Sequence, residues 1–157
     1  MVADVPDVHP DRVGDAVDVV EQTAGSLEQR INDEHVGAER DEEPDYVALA
    51  GGVSSDIWRV DLQRGSVCVK RALPKLRVQM DWYAPVERNQ YEIAWLRTVA
   101  QIEPAAVPKI LGTDALHGLL AMEYLPPESY RLWRTELFAG CADSSVATQV
   151  GRLLVRI

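Results

Sequence analysis

The chain has 157 residues, enough for one ordinary domain, and its 46% hydrophobic content excludes wholesale disorder. Its formal net charge of −9 argues against nucleic acid or an anionic membrane surface as a partner, because both attract basic proteins. The sequence begins without the basic and apolar regions of a secretory signal. It also contains no apolar run of the roughly 18 residues that span a bilayer, so we expect a cytoplasmic protein.

The first 44 residues are predicted to form an acidic helical arm and a linker. Apolar side chains recur every three or four residues over 11–31, which is typical of one face of a helix. The run Glu39-Arg40-Asp41-Glu42-Glu43 is typical of a solvated linker. We therefore place a domain boundary at residue 44.

Residues 45–72 have the pattern of a β-meander, with a glycine-containing turn and a tight turn between three short strands. The predicted strands are Tyr46–Leu49, Ile57–Leu62 and Ser66–Lys70. The first turn, which we call the glycine loop, is Gly51-Gly52-Val53-Ser54-Ser55. Residues 73–86 follow as an irregular surface insert, because Pro74 and Pro85 interrupt any regular pattern.

The second half of the domain is predicted to add a helix and two strands. The helix covers Glu87–Ala100 and the strands cover Val107–Leu111 and Leu119–Leu125. Tyr91, Trp95 and Val99 are predicted to form the apolar stripe of the helix. Three strands, one helix and two strands predict an α+β fold with a five-stranded antiparallel sheet. The small lobe of kinases has the same order of elements.

Two helices are predicted after the sheet, over Arg131–Ala139 and from a cap at Ser144 or Ser145 to the end of the chain. The apolar stripe of the last helix consists of Val146, Val150, Leu153, Leu154 and Ile157. Because burial of one such side chain is worth about 1.5–3 kcal/mol, we expect this stripe to find a partner. The N-terminal helix and self-association of the chain are the two candidates.

The glycine loop is the candidate phosphate-binding element. Glycines allow backbone N–H groups to approach an anion closely, and serine hydroxyls add donors. Gly51, Gly52, Ser54 and Ser55 are therefore candidate nucleotide-binding residues. A Gly-Gly turn is also a common way to join two strands, and the loop alone does not decide between the two interpretations.

Lys70 is the candidate cation for phosphate. Side chains alternate along a strand, so Cys68 and Lys70 share one face, with the small Cys68 against adenine and Lys70 at the phosphates. A carboxylate from the next helix has to orient the lysine, and Glu92 is favoured over Glu87, which lies too close to the helix start. The alternative interpretations are a solvated lysine at a strand end and an exposed helix glutamate.

Met122, Glu123 and Leu125 are the candidate adenine-binding residues. They end the fifth strand just before Pro126-Pro127, where loss of a neighbouring strand leaves backbone groups without partners. The Glu123 carbonyl and the Leu125 N–H would pair with the adenine edge. Met122 would close the back of the pocket.

Together these segments resemble the aminoglycoside phosphotransferase and choline-kinase-like superfamily, and in particular its methylthioribose-kinase-like branch. The resemblance extends over residues 46–157 and rests on the order and spacing of motifs, none of which is specific alone. The motifs are Gly51-Gly52-Val53-Ser54-Ser55, Val67-Cys68-Val69-Lys70-Arg71, the Glu92-x-x-x-Leu96 helix, Val107-Pro108-Lys109-Ile110-Leu111 and Met122-Glu123-Tyr124-Leu125.

The resemblance implies a protein-kinase-like bilobal fold and transfer of the γ-phosphate of ATP, with magnesium, to a hydroxyl of a small molecule. It divides the chain into a helical arm over 1–44, a kinase-like N-lobe with its hinge over 45–128, and the start of a C-lobe over 129–157. By the same resemblance, Lys70 would contact the α- and β-phosphates and Glu92 would pair with it. Residues 123–125 would form the hinge.

The sequence departs from the family pattern in two ways. The fully spaced Gly-x-Gly-x-x-Gly loop of protein kinases is absent, which favours the small-molecule branch. Neither a His-Gly-Asp-x-x-x-x-Asn catalytic loop nor a later metal-binding Asp occurs, and Cys68 and Cys141 lack metal-ligand spacing. We therefore expect no catalytic or metal-binding residue in this chain, and magnesium ligands in a missing lobe.

The missing lobe leads us to expect a truncated chain, a gene fragment or a degenerate relative. The first functional prediction is the ATP-binding portion of a small-molecule phosphotransferase that is inactive by itself. The alternative is a non-catalytic nucleotide-binding or interaction module derived from a kinase N-lobe. A third interpretation is an α+β domain without a ligand.

Overall fold

The structure is a computed structural model that describes residues 45–50, 52–62 and 65–157. The predicted N-terminal helix, the acidic linker and Gly51 lie outside the described residues. In the described part, the fold is α+β with five antiparallel strands and three α-helices. The strands are β1 Asp45–Ala48, β2 Ser55–Leu62, β3 Gly65–Ala72, β4 Ile110–Asp114 and β5 Leu119–Glu123, and the helices are α1 Asn89–Ile102, α2 Trp133–Phe138 and α3 Ser144–Arg156.

The strands form one sheet in the order β1-β2-β3-β5-β4, and every neighbouring pair is antiparallel. The chain leaves the sheet after β3, forms α1, and returns as the β4–β5 hairpin, with β5 beside β3. This arrangement confirms the predicted α+β class and the five-stranded antiparallel sheet, and it is compatible with a kinase-like N-lobe.

The register of β2, β3 and β5 determines which side chains share a face, because directly opposed residues of antiparallel strands project to the same side. Cys68 is opposite Arg59 and Met122, and Lys70 is opposite Ile57 and Leu120. We call this side the lysine face; it consists of Ile57, Arg59, Cys68, Lys70, Leu120 and Met122. Buried side chains occur on both sides of the sheet, including Leu120 on the lysine face and Val60 and Val69 on the other.

Two strand boundaries differ from the prediction. Strand β4 begins at Ile110 rather than at Val107, because Pro104–Ala106 forms a 3₁₀ turn and Pro108 has no N–H for a ladder. Strand β5 ends at Glu123 rather than at Leu125, since its pairing with both neighbours stops there.

The β4–β5 turn fixes the start of α1. Gly118 has φ of +63°, in the left-handed region that favours glycine, and its carbonyl accepts hydrogen bonds from the Ala72 N–H at 3.1 Å and from Asn89 Nδ2 at 2.9 Å. Asn89 is buried at the first position of α1. The end of β3, the turn and the helix are therefore joined at a single carbonyl.

The predicted apolar stripe of α1 is partly wrong. Tyr91 and Trp95 are 80% and 52% exposed, whereas Ile93 and Val99 are buried. The hydrogen bond of Asn89 places a polar side chain on the core-facing side of the helix. With about 100° of rotation per residue, that side continues through Ile93 and Val99 and turns Tyr91 and Trp95 outward.

Helices α2 and α3 contain no buried residue. The cap of α3 is Asp143, whose Oδ1 accepts from the Ser145 N–H at 2.7 Å, so the predicted serine cap is wrong because both serines lie inside the helix. Leu154 of the predicted stripe is 64% exposed. The other stripe residues are half-buried: Val146, Val150, Leu153 and Ile157. None of the helices in the described part is long and apolar enough to cross a membrane.

Candidate nucleotide-binding site

Lys70 and Glu92 form the centre of the candidate site. Lys70 lies near the end of β3, and its Nζ is 2.6 Å from Oε1 and 2.7 Å from Oε2 of Glu92 on α1. The Lys70 side chain is 18% exposed and that of Glu92 is 40% exposed. The predicted pairing is therefore present, and the alternative of a solvated strand-end lysine is wrong. Glu87 is exposed in the 3₁₀ turn before the helix.

The pair leaves part of the ammonium available. A lysine ammonium has three donors and no acceptor, and two of its hydrogens are directed to the two oxygens of one carboxylate. Within the described part of the chain, no third acceptor contacts Lys70 Nζ. A fixed cation with a donor to spare, at a strand end and largely shielded from water, is suited to an anionic oxygen.

Cys68 lies two residues before Lys70 on the same face, as the strand alternation predicts. Its side chain is buried and its thiol is free. Burial raises the pKa of the Cys68 thiol, and the positive charge of Lys70 offsets only part of that increase. Cys68 is therefore a small neutral group beside the lysine, and its predicted contact with adenine stays a prediction.

The described part of the glycine loop is tightly turned. A Cβ atom added to Gly52 would lie 2.2 Å from the Ser55 carbonyl oxygen, so only glycine fits without a backbone shift. Ser54 is half-buried, whereas Ser55 is the first residue of β2 and is buried. The loop has the close backbone approach expected from its sequence, and phosphate binding by these residues stays a prediction.

The candidate adenine-binding segment lies where the sheet ends. Met122 is opposite both Cys68 of β3 and Ile110 of β4. At the end of β5, the Glu123 N–H donates to the carbonyl of Lys109, the residue before β4, at 2.8 Å. Among the described residues, no hydrogen bond uses the Leu125 N–H. That donor is therefore open to a ligand, as the hinge interpretation requires.

An ion-pair cluster lies at the start of β2, next to the glycine loop. Asp56, directly after Ser55, is buried and pairs with two guanidinium groups, that of Arg71 at 3.1 Å and that of Arg77. One carboxylate between two arginines leaves a local excess of positive charge. Asp56 and Arg71 are opposite each other one residue away from Ile57 and Lys70, so they project to the face of the sheet opposite the lysine face.

Comparison with known proteins decides the family. A family model described as "Phosphotransferase enzyme family" matches residues 45–157. The chain belongs to the phosphotransferase enzyme family. The match covers the sheet, the candidate site and all three described helices. A search of curated proteins gives no match. Membership supports the resemblance to aminoglycoside phosphotransferases and related kinases, and the methylthioribose-kinase-like branch stays a prediction.

Sequence reasoning missed several residues of the candidate site. Ile57, Arg59 and Leu120 share the lysine face, but their place there depends on the strand register, which alternation within one strand does not determine. The guanidinium of Arg59 lies 5.8 Å from the centre of the Tyr124 ring, next to the candidate hinge. The sequence of β2, which alternates apolar and polar residues, gave no signal that singled out Arg59.

The described residues contain no cluster of metal ligands. No three His, Cys, Asp or Glu side chains in the described ranges are grouped so as to hold a metal ion. Glu92 directs both carboxylate oxygens to Lys70. Mg²⁺ prefers oxygen ligands in near-octahedral geometry, and this part of the chain does not gather them.

Proposed function

We propose that this member of the phosphotransferase enzyme family binds ATP on the lysine face. The triphosphate lies between the glycine loop and Lys70, and the adenine lies against Cys68 and residues 122–125. The observation that carries the proposal is the Lys70–Glu92 pair, in which two oxygens of one carboxylate orient a largely shielded ammonium. The open Leu125 N–H supports the same placement.

The proposed reaction is transfer of the γ-phosphate of ATP to a hydroxyl of a small metabolite or aminoglycoside-like acceptor. Family membership supports phosphoryl transfer as the class of reaction. In such a transfer the acceptor oxygen bonds to the γ-phosphorus, the bond to the β,γ-bridging oxygen breaks, and ADP leaves. Lys70 holds the non-reacting phosphates, and the proposal assigns the magnesium ligands and the base to residues outside the described part.

We further propose that the 157-residue chain binds the nucleotide without transferring phosphate. Phosphoryl transfer depends on positioning and on neutralisation of developing charge, usually by metal ions and an orienting carboxylate. The sequence contains no His-Gly-Asp-x-x-x-x-Asn motif, and the described residues gather no metal ligands. A non-catalytic nucleotide-binding module is the alternative that shares the first half of this proposal.

Calorimetric titration with ATP tests the binding step. Hydrogen bonds to charged groups are worth about 1.5–3 kcal/mol, so Lys70→Met is expected to weaken ATP binding roughly 10- to 100-fold. Lys109→Met is the matched control, because Lys109 is an exposed lysine that uses only its backbone in the described contacts. Equal ATP affinities of the wild type and Lys70→Met would contradict the placement of the triphosphate.

ATP consumption with a panel of hydroxyl acceptors tests the second step. We expect no consumption above the rate of the Lys70→Met variant. Turnover by the wild-type chain that Lys70→Met abolishes would overturn the proposed inactivity and would require a base within these 157 residues. Nucleotide binding without turnover, retained in longer versions of the chain, would favour the non-catalytic module.

A further inference from the structure

The segment Leu73–Arg88, which contains the predicted irregular surface insert over 73–86, is hydrogen-bonded to the glycine loop. The Val53 carbonyl accepts from the Arg77 N–H at 2.7 Å. The Ser54 carbonyl accepts from the Leu73 N–H at 3.0 Å and from Arg88 Nη2 at 2.5 Å. The Gly52 carbonyl lies 3.5 Å from Arg77 Nη1. Three consecutive carbonyls of the loop thus have partners in this segment.

The same contacts determine where the loop N–H groups point. In a trans peptide the C=O and the following N–H point in opposite directions, and no cis peptide occurs in the described part. The N–H groups of Val53 and Ser54 are therefore directed away from the partners of the preceding carbonyls. In the described ranges, neither N–H takes part in a hydrogen bond. The loop has its acceptors occupied and its donors open, which is the arrangement that binds an anion.

Arg88 is the hub of these contacts. Its guanidinium donates to four backbone carbonyls, at 2.5–3.0 Å, and they are those of Ser54, Leu73, Ala84 and Pro85. Among the described residues, no carboxylate forms an ion pair with Arg88. The planar fork of arginine fits several fixed acceptors at once, which the single ammonium of lysine does not.

Arg88 also connects the loop to the helix that carries Glu92. It is the residue immediately before α1, whose first turn contains Glu92. The guanidinium therefore joins the glycine loop and the end of β3 to the start of α1. The glycine loop and the helix that carries Glu92 therefore share one anchoring side chain.

The rest of the segment is itself folded. Lys75 and Tyr83 form an antiparallel bridge, the Leu76 N–H donates to the Trp82 carbonyl at 2.9 Å, and the Ala84 N–H donates to the Pro74 carbonyl at 3.0 Å. The ion pair of Arg77 with buried Asp56 fastens the segment to the start of β2. The predicted irregular surface insert is therefore an internally bonded unit attached to the sheet.

We propose that Leu73–Arg88 is a brace that holds the glycine loop ready for the triphosphate, and that Arg88 is its positioning residue. Arg88 touches no part of the nucleotide; it fixes the Ser54 carbonyl so that the loop N–H groups stay open, and it fixes α1 so that Glu92 stays on Lys70. The proposal rests on the proposed ATP site. The brace itself is a property of the ligand-free chain.

Arg88→Lys tests the brace, because it keeps the charge and removes the fork. Arg97→Lys is the matched control, because Arg97 is an exposed arginine of α1. Hydrogen exchange of peptides covering residues 50–57 is expected to accelerate in ligand-free Arg88→Lys and to stay at the wild-type rate in the control. The affinity for ATP is expected to fall about tenfold, while the affinity for adenosine, which needs no loop, stays unchanged.

The outcomes separate the brace from the ATP site. The proposal would be overturned if the loop of Arg88→Lys exchanges at the wild-type rate and the ratio of its ATP affinity to its adenosine affinity is also that of the wild type. Equal losses for ATP and adenosine would show general destabilisation rather than positioning and would also overturn it. A wild-type chain that binds no ATP but whose loop exchange depends on Arg88 would overturn the ATP site and retain the brace. If Arg88→Lys does not fold, Arg77→Lys, which keeps the charge and removes the fork that contacts Asp56 and the Gly52 carbonyl, tests the brace with the same criteria.

Discussion

The sheet with α1 and the C-terminal pair α2 and α3 are built in opposite ways. Every buried hydrophobic side chain of the described part lies between Trp58 and Ala121, and neither α2 nor α3 buries one. Helix α3 nevertheless has a regular apolar stripe, and four of the five side chains in this stripe are half-buried. A regular pattern in the sequence thus does not ensure a well-packed element. The candidate site lies in the part of the fold that has a hydrophobic core.

The difference also appears in what joins α3 to the rest of the fold. Arg156 at the end of α3 forms an ion pair with Glu103 at the end of α1, and most of the arginine side chain is exposed. Exposed pairs of this kind contribute about 0–1 kcal/mol. We expect α3 to open before the sheet does, since local stability follows buried apolar contacts. Self-association through α3, which light scattering would detect, stays a prediction.

The largest expected effect comes from removing the same side chain in the two regions. Leu120 is fully buried on the lysine face, so Leu120→Ala is expected to lower the free energy of unfolding by about 2–5 kcal/mol. Leu154 of α3 is mostly exposed, and Leu154→Ala is expected to change the free energy of unfolding by no more than about 0.5 kcal/mol. Urea denaturation measures both. Comparable losses would mean that α3 has a packed partner.

A pair of glycine substitutions is expected to give changes of opposite sign. Gly52→Ala places a Cβ 2.2 Å from a backbone oxygen, which forces the loop to shift and costs about 1–3 kcal/mol of stability. Gly151, inside α3, has no atom within 4 Å of an added Cβ, and Gly151→Ala is expected to stabilise the helix by about 0.5–1 kcal/mol. Thermal unfolding of both variants provides the comparison, and a destabilising Gly151→Ala would show that α3 is closely covered.

The same contrast explains what the sequence could predict. Strand and helix order follow from local periodicity and turn residues, and all five strands and the helices after residue 86 were predictable from them within a few residues. The Lys70–Glu92 pair was predictable because the two residues carry complementary charges in adjacent elements. The buried side of α1 was not predictable from the sequence. The hydrogen bond that sets the rotation of the helix joins buried Asn89 to the Gly118 carbonyl, which is distant in the sequence.

Arg88 shows the limit of sequence reasoning most clearly. Its partners are four backbone carbonyls, and every residue has a carbonyl. No complementary residue type in the sequence marks such a contact, whereas a carboxylate marks the partner of a lysine. The glycine loop was recognisable from its residues, but its attachment to Leu73–Arg88 depends on the fold alone.

The two cysteines offer a smaller, chemical test of the comparison. Cys68 is buried in the sheet and Cys141 is exposed between α2 and α3. Only the thiolate reacts with alkylating agents, and burial raises the pKa of the Cys68 thiol, so its reaction at neutral pH is expected to be at least about tenfold slower than that of Cys141. Raising the pH through the pKa of Cys68 is expected to narrow the difference.

Mass spectrometry after timed iodoacetamide labelling measures the two rates separately. Cys141→Ser is the control, since labelling of that variant reports Cys68 alone. ATP is expected to slow the labelling of Cys68 further, because the proposed adenine position covers it. Equal rates at the two cysteines in the folded chain would contradict a packed lysine face, and labelling of Cys68 that ignores ATP would contradict the adenine position.

The smallest expected effect is a pH dependence of the stability of α3. The sheet is not expected to share this dependence. Hydrogen bonds from Ser145 hold the pKa of Asp143 below its ordinary value. A carboxyl with a lowered pKa in the folded state stabilises the helix above the unfolded-state pKa, and this contribution is lost as the pH falls through the folded-state pKa. Cα chemical shifts of residues 144–150 are therefore expected to move toward coil values in acid, while those of β3 are expected to stay unchanged.

Asp143→Asn keeps an N-cap acceptor without a titrating group, so the chemical shifts of its α3 are expected to be independent of pH over the same range. Acid loosening of α3 that persists in Asp143→Asn would assign the effect to other carboxylates and remove the cap from the account. Loosening that disappears in it would show that a single capping residue stabilises a helix that lacks a buried core.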